Sequence, residues 1–151
     1  MQLQGPVWRL ASGGCDQAVR IWTLSQDSVW RLEGPPLMAH TGWVRDVAWA
    51  PNLGLPRNVI ASAGHEGKAV VWVEEASNPG VWKPTVVKDF GKDRPVWSVS
   101  WSTIGNVLAI SAAGPDDAEG NVELFKESMD GSWEPVPMAE HAGANDVSQG
   151  H

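Results

Sequence analysis

Three side chains in the middle of this 151-residue chain are of the types that form a hydrolytic triad. His40, Ser62 and Glu66 could serve as base, nucleophile and orienting acid. Ser62, however, lies between Ala61 and Ala63 in a stretch typical of a strand interior, and the glycine pattern of a nucleophile elbow does not surround it. The sequence therefore favours a structural role for these side chains and keeps a hydrolase as the alternative.

Metal, thiol and phosphate chemistry are also disfavoured. The histidines stand at positions 40, 65, 141 and 151 without the short spacing of metal ligands, and the single cysteine, Cys15, is far from them in the sequence. A reactive thiolate needs a cationic neighbour, whereas Asp16 disfavours the anion. The Lys and Ser/Thr of a phosphate-binding loop do not follow Gly13-Gly14. We therefore expect no cofactor, no metal and an inert thiol.

The charge distribution argues against nucleic acids and membranes as direct partners. The formal net charge is −7, but residues 1–114 hold 10 basic and 9 acidic side chains, whereas 115–151 hold one basic and nine acidic. A neutral body with an acidic end does not attract phosphates or anionic lipid headgroups. No apolar run is long enough to cross a bilayer, and the first residues lack the features of a secretion signal. With one cysteine, the expectation is a soluble protein of the cytosol or nucleus.

The elements that would position these residues follow from internal repetition. Ser12 to Trp22 recurs as Ser62 to Trp72, with a spacing of ten residues in both, and VRDVAW at 44–49 recurs as VWSVSW at 96–101. A third copy of the first pattern aligns Ser111 with the serines and is stretched by four residues before it reaches Phe125. A period of about fifty residues shared by independent columns indicates a repeat architecture.

Each repeat predicts four short antiparallel strands. Apolar and small or polar residues alternate over five to seven positions, and Gly, Pro, Asn or Asp separate these segments. In the complete copy the strands are predicted near 43–50, 58–63, 68–73 and 82–88. Four-stranded units of this length are typical of the blades of a β-propeller.

The ten tryptophans recur at regular positions along the repeats. This recurrence favours packing within and between blades over an aromatic cage or a base-stacking platform. An outer column is formed by Trp30, Trp82 and Trp133, which are separated by 52 and 51 residues. We expect this column to be partly exposed.

These positions resemble those of WD-repeat propellers, whose blades carry a hydrogen-bonded set of His, Ser/Thr, Asp and Trp. The segments ASGGCD, HTGWVRDVAWAP, VWSVSWS and LFKESMDGSW resemble, in this order, the C-terminal part of the Sec-thirteen family over roughly residues 11–137. The resemblance implies a complete set and a partial one, formed by His40, Ser62, Glu66 and Trp72, and by Ser12, Asp16 and Trp22. In the third repeat Lys92 and Phe125 replace the His and Trp, so packing is expected to hold it together.

The predicted fold is all-β, a partial WD-repeat propeller with about two and a half four-stranded antiparallel blades. Residues 1–10 are assigned to a divergent N-terminal segment, 11–137 to the propeller and 138–151 to a disordered tail. The propeller is divided into an incomplete blade at 11–35, a full blade at 40–90 and a last blade at 95–137. Only five residues separate Val7 from Ser12 where fifteen separate Val96 from Ser111, so the chain is expected to start inside a blade, shortened relative to the six-bladed family.

The function implied by the resemblance is that of a non-enzymatic scaffold in ER-to-Golgi vesicle transport and nuclear-pore assembly. Implied partners are a Sec-thirty-one-like subunit of the COPII coat, the nuclear-pore Y-complex scaffold and a lysosomal amino-acid-sensing complex that feeds TORC1 signalling. Implied locations are the ER membrane and COPII vesicles, the nuclear envelope and the lysosomal membrane. A blade inserted by the partner is expected to contact Trp97, Trp101, Val122, Leu124 and Trp133. Besides a hydrolase, a shortened product without independent function stays an alternative.

Overall fold

Three antiparallel sheets follow one another along the chain in the computed structural model, which describes residues 7–137. The first sheet contains β1 (Arg9–Gly13), β2 (Ala18–Leu24) and β3 (Trp30–Met38). The middle sheet contains β4 (Val44–Trp49), β5 (Arg57–Gly64), β6 (Lys68–Glu75) and β7 (Trp82–Asp89). The last sheet contains β8 (Val96–Trp101), β9 (Val107–Ala112), β10 (Asn121–Glu127) and β11 (Trp133–Pro135). In every sheet the strands pair in chain order, so each sheet is a meander.

The middle sheet holds the four strands predicted for the complete repeat, with bounds that agree within two residues. Its tight turn at 64–67 depends on Gly67, which has a φ of 94°. A side chain there would overlap the backbone of Gly91 in the connection to the last sheet, so glycine is required for two reasons. The prediction of an all-β partial propeller built from four-stranded antiparallel units is confirmed.

Both faces of the middle sheet are buried against a neighbouring sheet. Successive side chains of a strand point to opposite faces, so Ile60 packs toward the first sheet and Ala61 toward the last. The alternation continues on β6, where Val70 and Trp72 face the first sheet and Val71 faces the last. Full burial of each large apolar side chain stabilises the fold by roughly 1.5–3 kcal/mol. The two cores therefore join the three sheets into one stack.

The third repeat is held together by apolar packing, and its alignment with the other repeats is shifted by one residue from the predicted one. Val47 pairs with Ser62 in the middle sheet, and the equivalent Val99 pairs with Ile110 in the last sheet. The serine position is therefore occupied by fully buried Ile110, whereas Ser111 lies on the opposite face. The assignment of Ser111 to the serine column was wrong because a slip of one residue exchanges the faces of a strand without disturbing its composition.

The outer tryptophan column differs in burial from one sheet to the next. Trp30 is exposed and Trp133 is half-buried, as expected, but Trp82 is only 9% exposed, so its expected exposure was wrong. The ring of Trp82 meets Trp49 edge-on at 5.6 Å, and the guanidinium of Arg9 lies 5.6 Å from its centroid. The Trp82 ring is therefore buried by Arg9, a side chain of the first sheet that extends over the middle sheet.

An ion-pair network centred on Arg9 fastens the first sheet to the middle one. Its Nη1 lies 2.8 Å from Glu74 Oε1, and its Nη2 lies 2.5 Å from Glu33 Oε1. Glu74 is buried and also accepts hydrogen bonds from Asn58 Nδ2 at 3.0 Å and the Gly80 N–H at 2.8 Å. Burial by itself raises the pKa of Glu74, but these hydrogen bonds and the charge of Arg9 outweigh it, so the pKa lies below its ordinary 4.5.

We predict that Arg9→Met lowers the free energy of unfolding by about 3 kcal/mol at neutral pH, because Glu74 is left buried without its cation. The pKa of Glu74 is depressed in the folded state, so its contribution is present above the unfolded pKa and is lost as pH falls through the folded pKa. The difference between wild type and variant in urea denaturation should therefore shrink on acidification below about pH 4.5.

Arg31→Met is the matched control, since Arg31 pairs with Asp27 at 2.6 Å while both side chains remain mostly exposed. Its effect should stay below about 1 kcal/mol. Equal losses in the two variants, or a loss in Arg9→Met that does not change with pH, would contradict the assigned role of the Arg9 network.

Candidate functional site

Four side chains of the middle sheet form a continuous hydrogen-bonded line. His40 precedes β4, and its Nε2 lies 2.7 Å from Ser62 Oγ on β5. Its Nδ1 lies 2.6 Å from Glu66 Oε1 in the turn between β5 and β6. Trp72 on β6 donates its indole N–H to Ser62 Oγ at 2.9 Å. The line thus connects the loop before β4, two strands and a turn.

With the ring proton of His40 on Nδ1, all three of these hydrogen bonds are satisfied: Ser62 Oγ accepts from Trp72 and donates to His40 Nε2, and Nδ1–H donates to the Glu66 carboxylate. The other oxygen of that carboxylate, Oε2, is buried without a hydrogen-bond partner among the described residues. It lies against Gly64, where a Cβ would overlap both the carboxylate and the His40 ring. Glu66 occupies the position at which the WD-repeat set has the shorter Asp. Its side chain fits there because residue 64 is a glycine.

The distances in this line match those of a Ser-His-Glu triad, but its environment does not suit nucleophilic catalysis. Ser62 has 0% of its surface exposed, and its Oγ already accepts the Trp72 N–H. A nucleophile must reach an external carbonyl group with a free lone pair. Buried Ser62 cannot reach such a group, and its hydrogen bonds to His40 and Trp72 instead hold the middle sheet together.

The preceding repeat retains only part of the set. Trp22 donates its indole N–H to Ser12 Oγ at 2.8 Å, as the equivalent pair does in the middle sheet. Asp16 does not join this pair and instead accepts a hydrogen bond of 2.6 Å from Arg20, which lowers the pKa of Asp16. Cys15 is exposed in the same turn. In residues 7–137, no group of three or more His, Cys, Asp or Glu side chains is arranged to hold a metal ion.

The five residues expected to face a partner do not share one surface. Trp101 and Trp133 pack together at 5.8 Å on the side of the middle sheet, and Trp101 donates its N–H to the Ala48 carbonyl at 2.9 Å. Val122 and Leu124 lie on β10 on the face opposite to that of buried Phe125, and Val122 is 46% exposed. Of the five residues, Val122 and Leu124 thus lie on the outward face of the last sheet.

Trp97 belongs to a cluster that the sequence patterns did not predict. We call it the Arg45 cluster and define it as Trp43, Arg45, His65 and Trp97. The Arg45 guanidinium lies 5.2 Å from the Trp43 ring and 4.7 Å from the Trp97 ring, and its Nη2 lies 2.9 Å from His65 Nδ1. The His65 ring stacks on Trp43 at 5.7 Å. Arg45 and Trp97 directly follow Val44 and Val96, the equivalent buried valines of VRDVAW and VWSVSW. Because successive residues of a strand point to opposite faces, this spacing is a sequence signal that both side chains are exposed.

We predict that Ser62→Ala costs roughly 1–3 kcal/mol of unfolding free energy, because it leaves the Trp72 N–H and His40 Nε2 buried without a partner. Chemical denaturation followed by tryptophan fluorescence measures the change. Ser12→Ala is the matched control and should cost less, since Trp22 is partly exposed and water can replace the hydroxyl. A loss in Ser12→Ala as large as in Ser62→Ala would overturn the assignment.

No helix among the described residues is long and apolar enough to span a membrane.

Comparison with known proteins relates this architecture to characterised chains. A family profile described as "WD domain, G-beta repeat" matches residues 34–73. The chain is 50% identical over 136 residues to Protein transport protein SEC13 homolog A of Arabidopsis thaliana, covering 89% of this chain and 42% of that protein. It is 42% identical over 125 residues to Protein SEC13 homolog of Homo sapiens, covering 83% and 36%. For the Drosophila melanogaster homologue the identity is 46% over 127 residues, covering 84% and 33%.

The chain thus spans about two fifths of the length of the curated relatives that it matches, while those matches cover most of its own length. The similarity extends well beyond the single repeat that the family profile detects. The resemblance drawn from the sequence motifs is confirmed: over most of its length, the chain is similar to part of the SEC13 proteins.

Proposed function

We propose that this chain is a non-catalytic scaffold in protein transport that acts through protein partners. The observation that carries the proposal is the 50% identity, over 89% of this chain, to a relative named as a protein transport protein. The sealed hydrogen-bonded line supports it, because its one nucleophilic hydroxyl is buried and already partnered. More specifically, we propose that it acts in the COPII outer coat during ER-to-Golgi transport. The nuclear-pore Y-complex and a lysosomal amino-acid-sensing complex are further assemblies that we propose it joins.

The outward face of the last sheet is the proposed contact for a blade supplied by a partner. Strand pairing makes Ala109 equivalent to Ala61 and Leu124 equivalent to Val71 of the middle sheet. In the middle sheet, these small and β-branched side chains receive Leu108 and Phe125 from the next sheet. The repeat therefore predicts what the outward face accepts: a β-sheet that presents bulky apolar side chains at the corresponding positions.

The partner proposed for this face is a subunit resembling Sec-thirty-one. Packing of a β-sheet on an open sheet face requires no catalytic group and buries apolar side chains of both sheets. Val122 and Leu124 are retained in the proposed contact, while Trp101 and Trp133 are set aside because they already pack toward the middle sheet. Trp97 is not part of this contact because it belongs to the Arg45 cluster.

We predict that the double variant Val122→Glu, Leu124→Glu weakens binding to the insertion segment of a Sec-thirty-one-like subunit at least about tenfold, because two charges would be desolvated in the contact. Calorimetric titration measures affinity, and circular dichroism verifies the fold of each variant. The control is Lys83→Glu, Lys88→Glu, which changes two exposed positions on β7 of the middle sheet. Unchanged affinity in the β10 variant would reject this surface, and a folded wild type that binds no such segment would favour a product without independent function.

The hydrolase alternative is supported by one observation, the 2.7 Å and 2.6 Å distances that His40 makes to Ser62 and Glu66. Turnover of an activated ester such as p-nitrophenyl acetate provides a test. We expect the same background rate from wild type and Ser62→Ala, since the hydroxyl is sealed. A rate that disappears in Ser62→Ala while the fold persists would establish catalysis and refute the scaffold proposal.

A further inference from the structure

Arg45 differs from the other arginines of the described chain in what compensates its charge. Four of the others form ion pairs with carboxylates: Arg9, Arg20, Arg31 and Arg57. Arg94 donates to the Ala113 carbonyl and to the Asn121 side chain. Arg45 is exposed, and its hydrogen-bonding partner within residues 7–137 is the ring nitrogen of His65. Its positive charge is therefore available to an external anion.

One edge of the Arg45 guanidinium is used inside the protein and the other is open. Nε and Nη2 approach His65 Nδ1 at 3.2 Å and 2.9 Å, which occupies the edge shared by these two nitrogens. Nη1 and the remaining N–H of Nη2 have no partner among the described residues. Two parallel N–H groups at this open edge are the geometry that binds both oxygens of a carboxylate.

The tryptophans of the cluster hold this cation in place and add exposed apolar surface. Trp43 and Trp97 are 50% and 48% exposed, and the guanidinium lies within 5.2 Å of both ring centroids. Cation–π contact and the hydrogen bond to His65 restrict the Arg45 side chain before any ligand arrives, which lowers the entropic cost of binding. Exposed Trp and Arg side chains are also those that dominate the energetics of protein interfaces.

We propose that the Arg45 cluster binds an acidic side chain of a protein partner, an Asp or Glu adjacent to an aromatic or large aliphatic residue. The carboxylate pairs with the open edge of Arg45, and the neighbouring apolar side chain packs on the Trp43 and Trp97 rings. His65 acts as a positioning residue, since its Nδ1 accepts from Arg45 and orients the open edge outward. Arg45 is the one cation over these two rings in residues 7–137, and its single positive charge balances one carboxylate, whereas a phosphate dianion would keep a net negative charge.

This site is separate from the outward face of the last sheet. It is formed by the start of β4, the turn at 64–67 and the start of β8, whereas the proposed blade contact lies on β9 and β10. Loss of one contact therefore leaves the other intact, and either proposal can fail without the other.

The test is a titration of the full chain with the blocked dipeptide Ac-Asp-Phe-NH2, observed by NMR through the indole N–H signals of Trp43 and Trp97. Ac-Asn-Phe-NH2 and Ac-pSer-Phe-NH2 are the comparison ligands. We expect saturable shifts of both indole signals with the Asp peptide, and an affinity at least about tenfold lower in Arg45→Gln. The paired and exposed Arg31 supplies the control variant Arg31→Gln, which should bind like wild type.

Arg45→Lys and His65→Ala separate charge from geometry. Both should weaken binding, the first because an ammonium lacks the planar edge and the second because the guanidinium loses its orientation. Equal binding of the Asn peptide, equal affinity in Arg45→Gln, or no saturable shift in the wild type would overturn the proposal. Preference for the phosphoserine peptide would replace a carboxylate by a phosphate as the ligand and would also overturn it.

Discussion

The structure depends on one packing constraint, that the middle sheet is apolar on both faces and must be covered twice. Ile60, Val70 and Trp72 need the first sheet, and Ala61, Ala63 and Val71 need the last. A sheet of this kind does not fold alone in water, because a face left open would expose its entire apolar stripe. The stack of three sheets covers both faces of the middle sheet. Among residues 7–137, the outward faces of the first and last sheets have no neighbouring sheet.

Polar side chains are buried in this stack where hydrogen bonds satisfy nearly all of their donors and acceptors. The line from Trp72 through Ser62 and His40 to Glu66 leaves a single carboxylate oxygen without a partner in the described chain. Buried Glu74 is likewise surrounded by Arg9, Asn58 and the Gly80 N–H. The third repeat avoids such groups by placing Ile110 and Phe125 where the middle sheet has Ser62 and Trp72. Equivalent positions in one architecture are thus stabilised by two different kinds of interaction.

Repetition also explains how one fold can offer distinct contacts. Positions that are buried between the middle and last sheets recur on the outward face of the last sheet, where they are free to receive another sheet. Arg45 and Trp97, by contrast, occupy equivalent positions with different residues, and the juxtaposition of the two sheets brings them within 4.7 Å. A scaffold that acts through partners can use both kinds of surface without altering its core. Both uses are proposals that depend on side chains and not on the backbone fold, which many unrelated functions share.

The sequence by itself determined the four strands of the complete repeat, their antiparallel order and the family resemblance, because alternation, turn residues and spacing are local properties of the chain. It could also single out His40, Ser62, Glu66 and Trp72 as a group. Only the tertiary structure decided that Ser62 is sealed, that Trp82 is covered by Arg9, and that Ile110 takes the serine position. The same holds for the Arg45 cluster. Each of these depends on contacts between strands or sheets that are distant in sequence, and no local pattern encodes the distance between them.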